Sequence, residues 1–153
     1  MNPASDEMTG KIFQTLKDGK PILWTLVPEL PPQAQRLPLP WLTVIAWRYD
    51  GASRNGMPAP EVNASMQALD QVLSDLQRPG FCAEAYRRIG NDLREFVLYI
   101  ADRDAFMAEL NAQLADHPRY PIDIRFYEDA SWSELQDLIA DLYPSPGNSE
   151  MPA

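Results

Sequence analysis

The 153-residue chain contains one cysteine, Cys82, and one histidine, His117. A single cysteine excludes an intrachain disulfide framework and any Cys-x-x-Cys metal knuckle. A single histidine argues against a His-rich metal site and against a Ser–His–Asp relay. We expect Cys82 to be a small buried hydrophobic side chain. His117 lies at the end of a predicted helix, where we expect it to have a structural role.

Positive charge is scarce as well. Lys and Arg number 13 against 22 Asp and Glu, a formal net charge of −9. This balance argues against nucleic-acid binding, which depends on neutralising phosphates, and against adhesion to an anionic membrane surface. The longest strongly apolar stretch, residues 41–47, is too short to span a bilayer. Residues 1–10 lack the pattern of a secretory signal, so we expect a cytoplasmic location.

Sequence motifs for catalysis are missing. The chain has no GxxxxGK[ST], GxGxxG or GxSxG pattern and no EF-hand-type calcium loop. We therefore expect no cofactor, no metal site and no catalytic residues, although the sequence leaves open whether the protein is an enzyme.

Fifteen prolines divide the chain into three parts. Residues 1–40 form an N-terminal arm, in which a β-prone run at 22–27 predicts one added edge strand. Residues 28–40 carry five prolines and predict a stiff extended connector. Residues 41–143 form an α+β domain. The polar, proline-containing residues 144–153 are expected to be a disordered tail.

Hydrophobic periodicity in the α+β domain predicts a strand, a helix, two strands, a helix, a strand and a closing helix. That order predicts a ferredoxin-like βαββαβ antiparallel sheet, with an N-terminal extra strand and an appended C-terminal helix. Asp102 is the expected cap of the second helix, and a capping box of Ser131 and Glu134 is expected to open the last helix. The sheet face away from the two core helices needs a cover from the N-terminal strand, the last helix or a partner chain.

Charge is distributed unevenly along the chain. All three lysines lie in the arm, whereas no basic residue follows Arg125. The last predicted helix therefore has an acidic outer face, which nominates Glu134, Asp137 and Asp141 as partner-binding residues for a basic protein. We expect Trp132, in the first turn of this helix, to pack in the core.

Two functions other than binding a basic protein stay open. A cleft between the sheet and the Pro-rich arm, lined by Trp41, Trp47 and Tyr99 with Arg94 supplying charge, has the composition of a small-ligand or enzymatic site. A homodimer whose sheet faces cover each other would also bury these apolar residues.

The order of landmarks between residues 41 and 132 resembles the bacterial family of unknown function DUF695. The runs that carry the resemblance are W-L-T-V-I-A-W-R-Y-D, N-G-M-P, M-Q-A-L-D-Q-V-L, L-R-E-F-V-L-Y-I-A-D, D-A-F-M-A-E-L and Y-P-I-D-I-R-F-Y-E-D-A-S-W.

Two positions depart from the pattern of this family. The chain has D-A-S-W at residues 129–132 where the family commonly has D-P-x-W, and it lacks the usual T-x-x-G before Arg94 and Glu95. The resemblance implies no established activity and no catalytic residues. Some relatives resemble part of proteins that carry a ribonuclease E inhibitor-like domain, which favours a regulatory, protein-binding role.

Overall fold

The computed structural model describes residues 11–143 of the chain. Ten strands and α-helices follow one another in this range, with a short 3₁₀ turn at Ala52–Arg54 after the third strand. They are β1 (Lys11–Lys17), β2 (Lys20–Leu26), α1 (Gln33–Arg36), β3 (Trp41–Arg48), α2 (Pro60–Leu76), β4 (Cys82–Gly90), β5 (Leu93–Ile100), α3 (Arg103–Gln113), β6 (Ile122–Glu128) and α4 (Ser133–Leu142).

The six strands form one antiparallel sheet in the order β1-β2-β4-β5-β3-β6, so the α+β class is confirmed. The expected sheet of four strands with a single extra strand is not what the structure shows. A complete hairpin, β1 and β2, extends the sheet beyond β4. The hairpin turn, Asp18-Gly19, has positive φ at both residues, 54° and 78°. A left-handed Asp-Gly pair is the turn that closes tight hairpins, so β1 was detectable from the sequence and was missed.

Helices α2 and α3 lie together on one side of the sheet, which we name the helix-pair face. Their apolar stripes pack against alternate residues of β3 and β5, as period-two alternation requires. The core of this face consists of Ile45, Trp47, Met66, Leu69, Val72, Leu73, Leu76, Cys82, Phe96, Leu98, Ile100, Phe106 and Leu110. The cap of α3 is confirmed, because the Asp102 carboxylate accepts a hydrogen bond from the Ala105 N–H at 3.0 Å.

The opposite side of the sheet, the α4 face, is covered by α4 and by the Pro-rich connector. Both cover elements belong to this chain. The buried side chains of this second core are Leu26, Leu39, Leu42, Ala85, Tyr86, Val97, Tyr99, Trp132 and Leu135. The connector is not extended throughout, since residues 33–36, which contain no proline, form the single-turn helix α1. The described part of the N-terminal arm therefore shares the sheet and the core of the rest of the chain.

Strand β4 is irregular at the point where the two layers meet. Glu84 pairs with Leu98 and Tyr86 pairs with Val97, which leaves Ala85 as the extra residue of a β-bulge. As a result, two consecutive residues, Ala85 and Tyr86, both lie on the α4 face. Strand β2 pairs with β4 only from Arg87 to Gly90, so the first half of β4 has β5 on one side and no strand on the other.

Helix α4 is held on the sheet by a set of contacts around Trp132, which we name the Trp132 latch. The Trp132 ring stacks on Tyr99 with 4.0 Å between ring centroids and 9° between planes. Its indole N–H donates to the Leu39 carbonyl at 2.9 Å. Trp132 is 1% exposed, which confirms the expectation that it packs in the core. The latch thus joins β5, the connector and α4.

The cap of α4 differs from the expected capping box. The helix begins at Ser133, and Trp132 just before it has left-handed backbone with φ 60°. Asp129, rather than Ser131, reaches the first turn, where its carboxylate accepts from the N–H groups of Ser133 and Glu134 at 2.9 and 3.0 Å. The left-handed residue turns the chain before the helix, which places the earlier aspartate over the free N–H groups.

Within residues 11–143, no helix has both the length and the apolar composition needed to cross a membrane. The expected disordered tail at 144–153 lies outside the described residues.

We expect Trp132→Ala to lower the free energy of unfolding by about 3–5 kcal/mol, because it removes a large buried ring and a buried hydrogen bond. Trp132→Phe keeps most of the ring and is expected to lose about half as much. Urea denaturation followed by far-UV circular dichroism measures both values. A loss below about 1 kcal/mol for Trp132→Ala would contradict the role of the Trp132 latch in holding α4 on the sheet.

Candidate functional site

Helix α4 is amphipathic, and its outward side carries an acidic stripe, defined as Glu134, Asp137 and Asp141. Spacings of three and four residues place these carboxylates on one side of the helix. Leu135 on the inward side is buried, whereas all three acidic residues are exposed. The structure therefore brings the three predicted partner-binding residues together.

Two members of the acidic stripe, Asp137 and Asp141, do not stabilise the helix that carries them, whereas Glu134 in the first turn is favourable to the helix dipole. Asp137 and Asp141 are like charges one turn apart, which repel each other. Asp141 lies in the last turn, where the helix dipole favours cations, and that turn contains no basic residue. Among residues 11–143, none of the three stripe carboxylates has a cationic partner within 4.0 Å. The positions of Asp137 and Asp141 thus have no explanation in helix stability.

A cavity of about 500 Å³, which we name the acidic groove, lies beside the first turn of α4 on the α4 face of the sheet. It joins the stripe at Glu134. Four carboxylates and two tyrosines contribute to its walls, together with two apolar side chains of β3. The lining residues are Leu42, Val44, Tyr86, Glu95, Tyr127, Glu128, Asp129, Ser133 and Glu134.

The carboxyl groups of the groove lie in different environments. Burial raises the pKa of Glu95, and the charge of Glu134 raises it further, while Arg88 opposes both effects. Tyr86 is buried and donates a hydrogen bond from its hydroxyl to Glu134 at 3.2 Å. Burial and the neighbouring carboxylates raise the pKa of Tyr86 well above its usual range, so it stays a neutral donor. The groove therefore combines the half-buried carboxyl group of Glu95 with the exposed carboxylate of Glu134.

Asp129 links the groove to the Trp132 latch. Besides capping α4, its carboxylate accepts from the Tyr99 hydroxyl at 2.6 Å and from the Ser133 hydroxyl at 2.7 Å. Burial raises the pKa of Asp129, but the hydrogen bonds from Tyr99, Glu134 and Ser133 together outweigh burial and hold the pKa below its usual value. Asp129 is thus a charged structural group at the groove wall.

The structure does not bring together the four residues expected to line a cleft. Trp41 pairs with Ile100 and Trp47 with Arg94, which sets Trp41, Trp47 and Arg94 on the helix-pair face. Tyr99 pairs with Leu42 and lies on the opposite α4 face, inside the latch. Arg94 and Tyr99 lie five residues apart on β5, so the alternation of side chains along a strand already sets them on opposite faces. The register of β5 against β3 decides that Trp41 and Trp47 share the face of Arg94 rather than that of Tyr99.

Trp41, Trp47 and Arg94 contact side chains outside the expected cleft. Trp47 is buried against Tyr120, with 5.1 Å between ring centroids. The Arg103 guanidinium lies 4.3 Å from the ring centroid of Trp41. The Arg94 guanidinium lies 4.7 Å from the ring centroid of Phe96, and burial lowers its pKa.

Cys82 and His117 have the structural environments expected from the sequence. Cys82 is buried, its thiol donates to the Leu76 carbonyl at 3.4 Å, and burial raises the pKa of the thiol to about 11. The thiol is therefore protonated at neutral pH, which is unfavourable for nucleophilic attack. The Nδ1 atom of His117 lies 2.9 Å from the Tyr120 hydroxyl. In the described range, no three His, Cys, Asp or Glu side chains are grouped so that they could hold a metal ion.

Sequence reasoning found one end of the acidic groove and missed the rest. Glu134 was identified from the charge of the last helix. Nothing in the sequence alone groups Glu95, Glu128 and Asp129 with Glu134. Glu95 lies on β5 and Glu128 on β6, and β3 separates these two strands, so their grouping becomes visible only when the strand order and register are known.

We expect Asp129→Asn to lower the free energy of unfolding at pH 7 by about 1–3 kcal/mol, since the hydrogen bonds lose a charged acceptor. Because folding depresses the pKa of Asp129, its contribution is complete above the unfolded value of about 4 and is lost as pH falls through the folded value. Urea titrations of both proteins from pH 7 to pH 2.5 should therefore converge at low pH. A stability difference that stays constant over this range would exclude the proposed ionised cap.

The runs that carry the family resemblance have structural roles. The loop that contains N-G-M-P is tied to the β4–β5 turn, because the Asp92 N–H donates to the Gly56 carbonyl at 3.0 Å and the Gly51 N–H donates to the Asp92 carboxylate at 3.0 Å. A Cβ at Gly56 would lie 2.8 Å from the Asn91 backbone nitrogen, so only glycine fits this contact. The D-A-S-W run forms the cap and latch of α4.

Comparison with known proteins agrees with these landmarks. No curated protein and no solved structure matches the chain. The model of one protein family, described as a family of unknown function (DUF695), matches residues 11–139, which is most of the chain. The chain therefore belongs to the DUF695 family.

Proposed function

We propose that this protein is a non-catalytic module that binds another protein through the acidic stripe of α4 and the adjoining acidic groove. The partner presents Lys or Arg side chains, which complement the carboxylates of the stripe and groove. A second copy of this chain is a poorer partner for the stripe, because its formal net charge of −9 opposes association.

The observation that carries the proposal is the destabilising effect of Asp137 and Asp141 on their own helix. Asp137 and Asp141 repel each other, and Asp141 opposes the helix dipole. Neither has an ion pair within 4.0 Å among the residues that the structure describes. Charges that destabilise an exposed helix are explained when a partner neutralises them, since electrostatic complementarity raises the rate and specificity of association.

The groove adds contacts that a charged helix surface alone lacks. Tyr127 is 47% exposed at its rim, and it offers the flat, amphipathic surface that is common at the centre of protein interfaces. Glu95 and Glu134 lie on facing walls, from β5 and α4. A basic side chain that enters between them would pack its methylene stem on Tyr127 and bring its charge to the two carboxyl groups.

We infer in addition that β3, β4, β5 and β6 with α2 and α3 form a ferredoxin-like βαββαβ unit, which the β1–β2 hairpin and α4 extend. The order β4-β5-β3-β6 and the position of α2 and α3 on one face support this inference. We also propose that the protein acts in the cytoplasm, in keeping with a single, buried, unpaired cysteine.

A stripe variant, Asp137→Asn with Asp141→Asn, tests the proposal. Tagged wild-type protein should retain a basic protein from a bacterial lysate at low salt and release it as the salt concentration rises. We expect the stripe variant to retain about tenfold less of it, because two exposed ion pairs contribute up to about 1 kcal/mol each. Quantitative mass spectrometry of the eluates measures the difference.

The matched control carries Asp75→Asn and Asp116→Asn. Both residues are exposed on the other side of the sheet: Asp75 lies in the last turn of α2, and Asp116 follows the end of α3. The control loses the same two charges and should retain the partner at the wild-type level. If the control loses the protein as the stripe variant does, net charge rather than the α4 stripe is responsible, and the proposal fails.

The stripe variant should not be less stable than the wild type. Removing the Asp137–Asp141 repulsion is expected to raise the free energy of unfolding by about 0.2–0.5 kcal/mol at low salt. Urea denaturation measures this change, and the difference should shrink in 1 M salt as the charges are screened. A clear loss of stability would show that the stripe has a structural role and would remove the argument for a partner.

A further inference from the structure

A second cavity, which we name the connector cleft, lies on the other side of the first turn of α4. It encloses about 890 Å³ and shares no lining residue with the acidic groove. The cleft exists because β2 pairs only with the second half of β4. The Pro-rich connector spans the remaining distance between β2 and β3, and the space beneath it borders the first half of β4.

The walls of the connector cleft are mainly apolar. Leu30 and Pro31 of the connector face the first turn of α4, which contributes Leu135, and the floor consists of Ala83 and Ala85 from β4. A pair of alanines at the floor leaves room that larger side chains would fill in a close-packed core. A cavity of this volume with apolar walls and a few polar groups is typical of sites for small organic ligands.

A strand of another protein is a poorer occupant, because side chains and a turn already use the free edge of β4. The N–H of Glu84 donates to the Gln77 side-chain oxygen at 3.2 Å. The backbone N–H and carbonyl groups of Cys82 bond to Arg78 at 3.2 and 3.0 Å. The β-bulge at Ala85 further disrupts the edge.

The charged groups of the cleft favour a cation. Arg78 is committed to Glu109 by two hydrogen bonds of 3.0 and 3.1 Å, and its guanidinium lies 3.9 Å from the ring centroid of Phe81. Glu84 is paired with Arg87 at 3.4 Å. Among residues 11–143, Glu29 is the charged lining residue that has no ion pair within 4.0 Å. The uncompensated charge at the rim is therefore negative.

We propose that the connector cleft binds a small amphiphile, whose apolar body lies over Ala83 and Ala85 and whose single cationic group reaches Glu29. This site is separate from the protein-binding surface proposed above, and neither proposal depends on the other.

Isothermal titration calorimetry tests the proposal on the full chain, with decylammonium and decanoate below their micelle concentrations and decanol below its solubility limit. Wild-type protein should bind decylammonium at one site, decanol about threefold more weakly and decanoate more weakly still, because an exposed charge pair contributes up to about 1 kcal/mol. Glu29→Gln should reduce the affinity for decylammonium to that for decanol and leave decanol binding unchanged.

Ala83→Leu fills the floor and should weaken binding of decylammonium about tenfold or more. Its matched control is Ala64→Leu, which adds the same side chain at an exposed position of α2 outside the cleft. Circular dichroism and the melting temperature establish that both variants fold. No saturable binding by the wild type, equal affinity for decanoate and decylammonium, or full binding by folded Ala83→Leu would each overturn the proposal.

Discussion

The stacking of Trp132 on Tyr99 is the contact on which the α4 side of the molecule depends. An aromatic pair at 4.0 Å fixes α4 against β5, and the indole N–H fixes the connector through the Leu39 carbonyl. Asp129 completes the arrangement, because one carboxylate caps the helix and accepts from the Tyr99 hydroxyl. Without these contacts α4 has one fully buried side chain of its own, Leu135, with which to hold its position. Both proposed binding sites are formed by the first turn of this helix, so the latch also determines their shapes.

The secondary structure from residue 41 onward was predictable, because its apolar periodicity is strong. The stripe from Met66 to Leu76 predicted α2, and strict alternation predicted β6. The hydrophobic pattern does not predict β1, because two residues on its outward side are apolar. These residues, Ile12 and Leu16, are 69% and 67% exposed, so the strand shows no hydrophobic-in, polar-out pattern. The cap of α4 was misassigned for a different reason. A serine three residues before a glutamate satisfies the capping-box pattern, and the left-handed turn at Trp132 that disables it is a tertiary feature.

The candidate site was predictable only where its residues belong to a single helix. Glu134, Asp137 and Asp141 lie on a single helix, whose period of 3.6 residues places them together without reference to the rest of the fold. The groove combines residues of four strands and a helix, so its composition depends on register. Register also separated Tyr99 from Trp47, which apolar composition alone could not do, since both faces of β3 and β5 are apolar. The bulge at Ala85 also changes which residues of β4 lie on which face of the sheet. A one-residue shift of this kind is a local feature of the backbone, which the hydrophobic pattern does not encode.

The bulge and the helix together place the two cavities side by side. Tyr86 and Glu134 line the acidic groove, whereas their chain neighbours Ala85 and Leu135 line the connector cleft. A regular strand would send Ala85 and Tyr86 to opposite faces of the sheet, so the extra residue is what allows β4 to serve both cavities. The same turn of α4 thus forms a wall of each cavity. The Trp132 latch fixes that turn, since Trp132 stacks on Tyr99 of β5, a strand at the centre of the sheet.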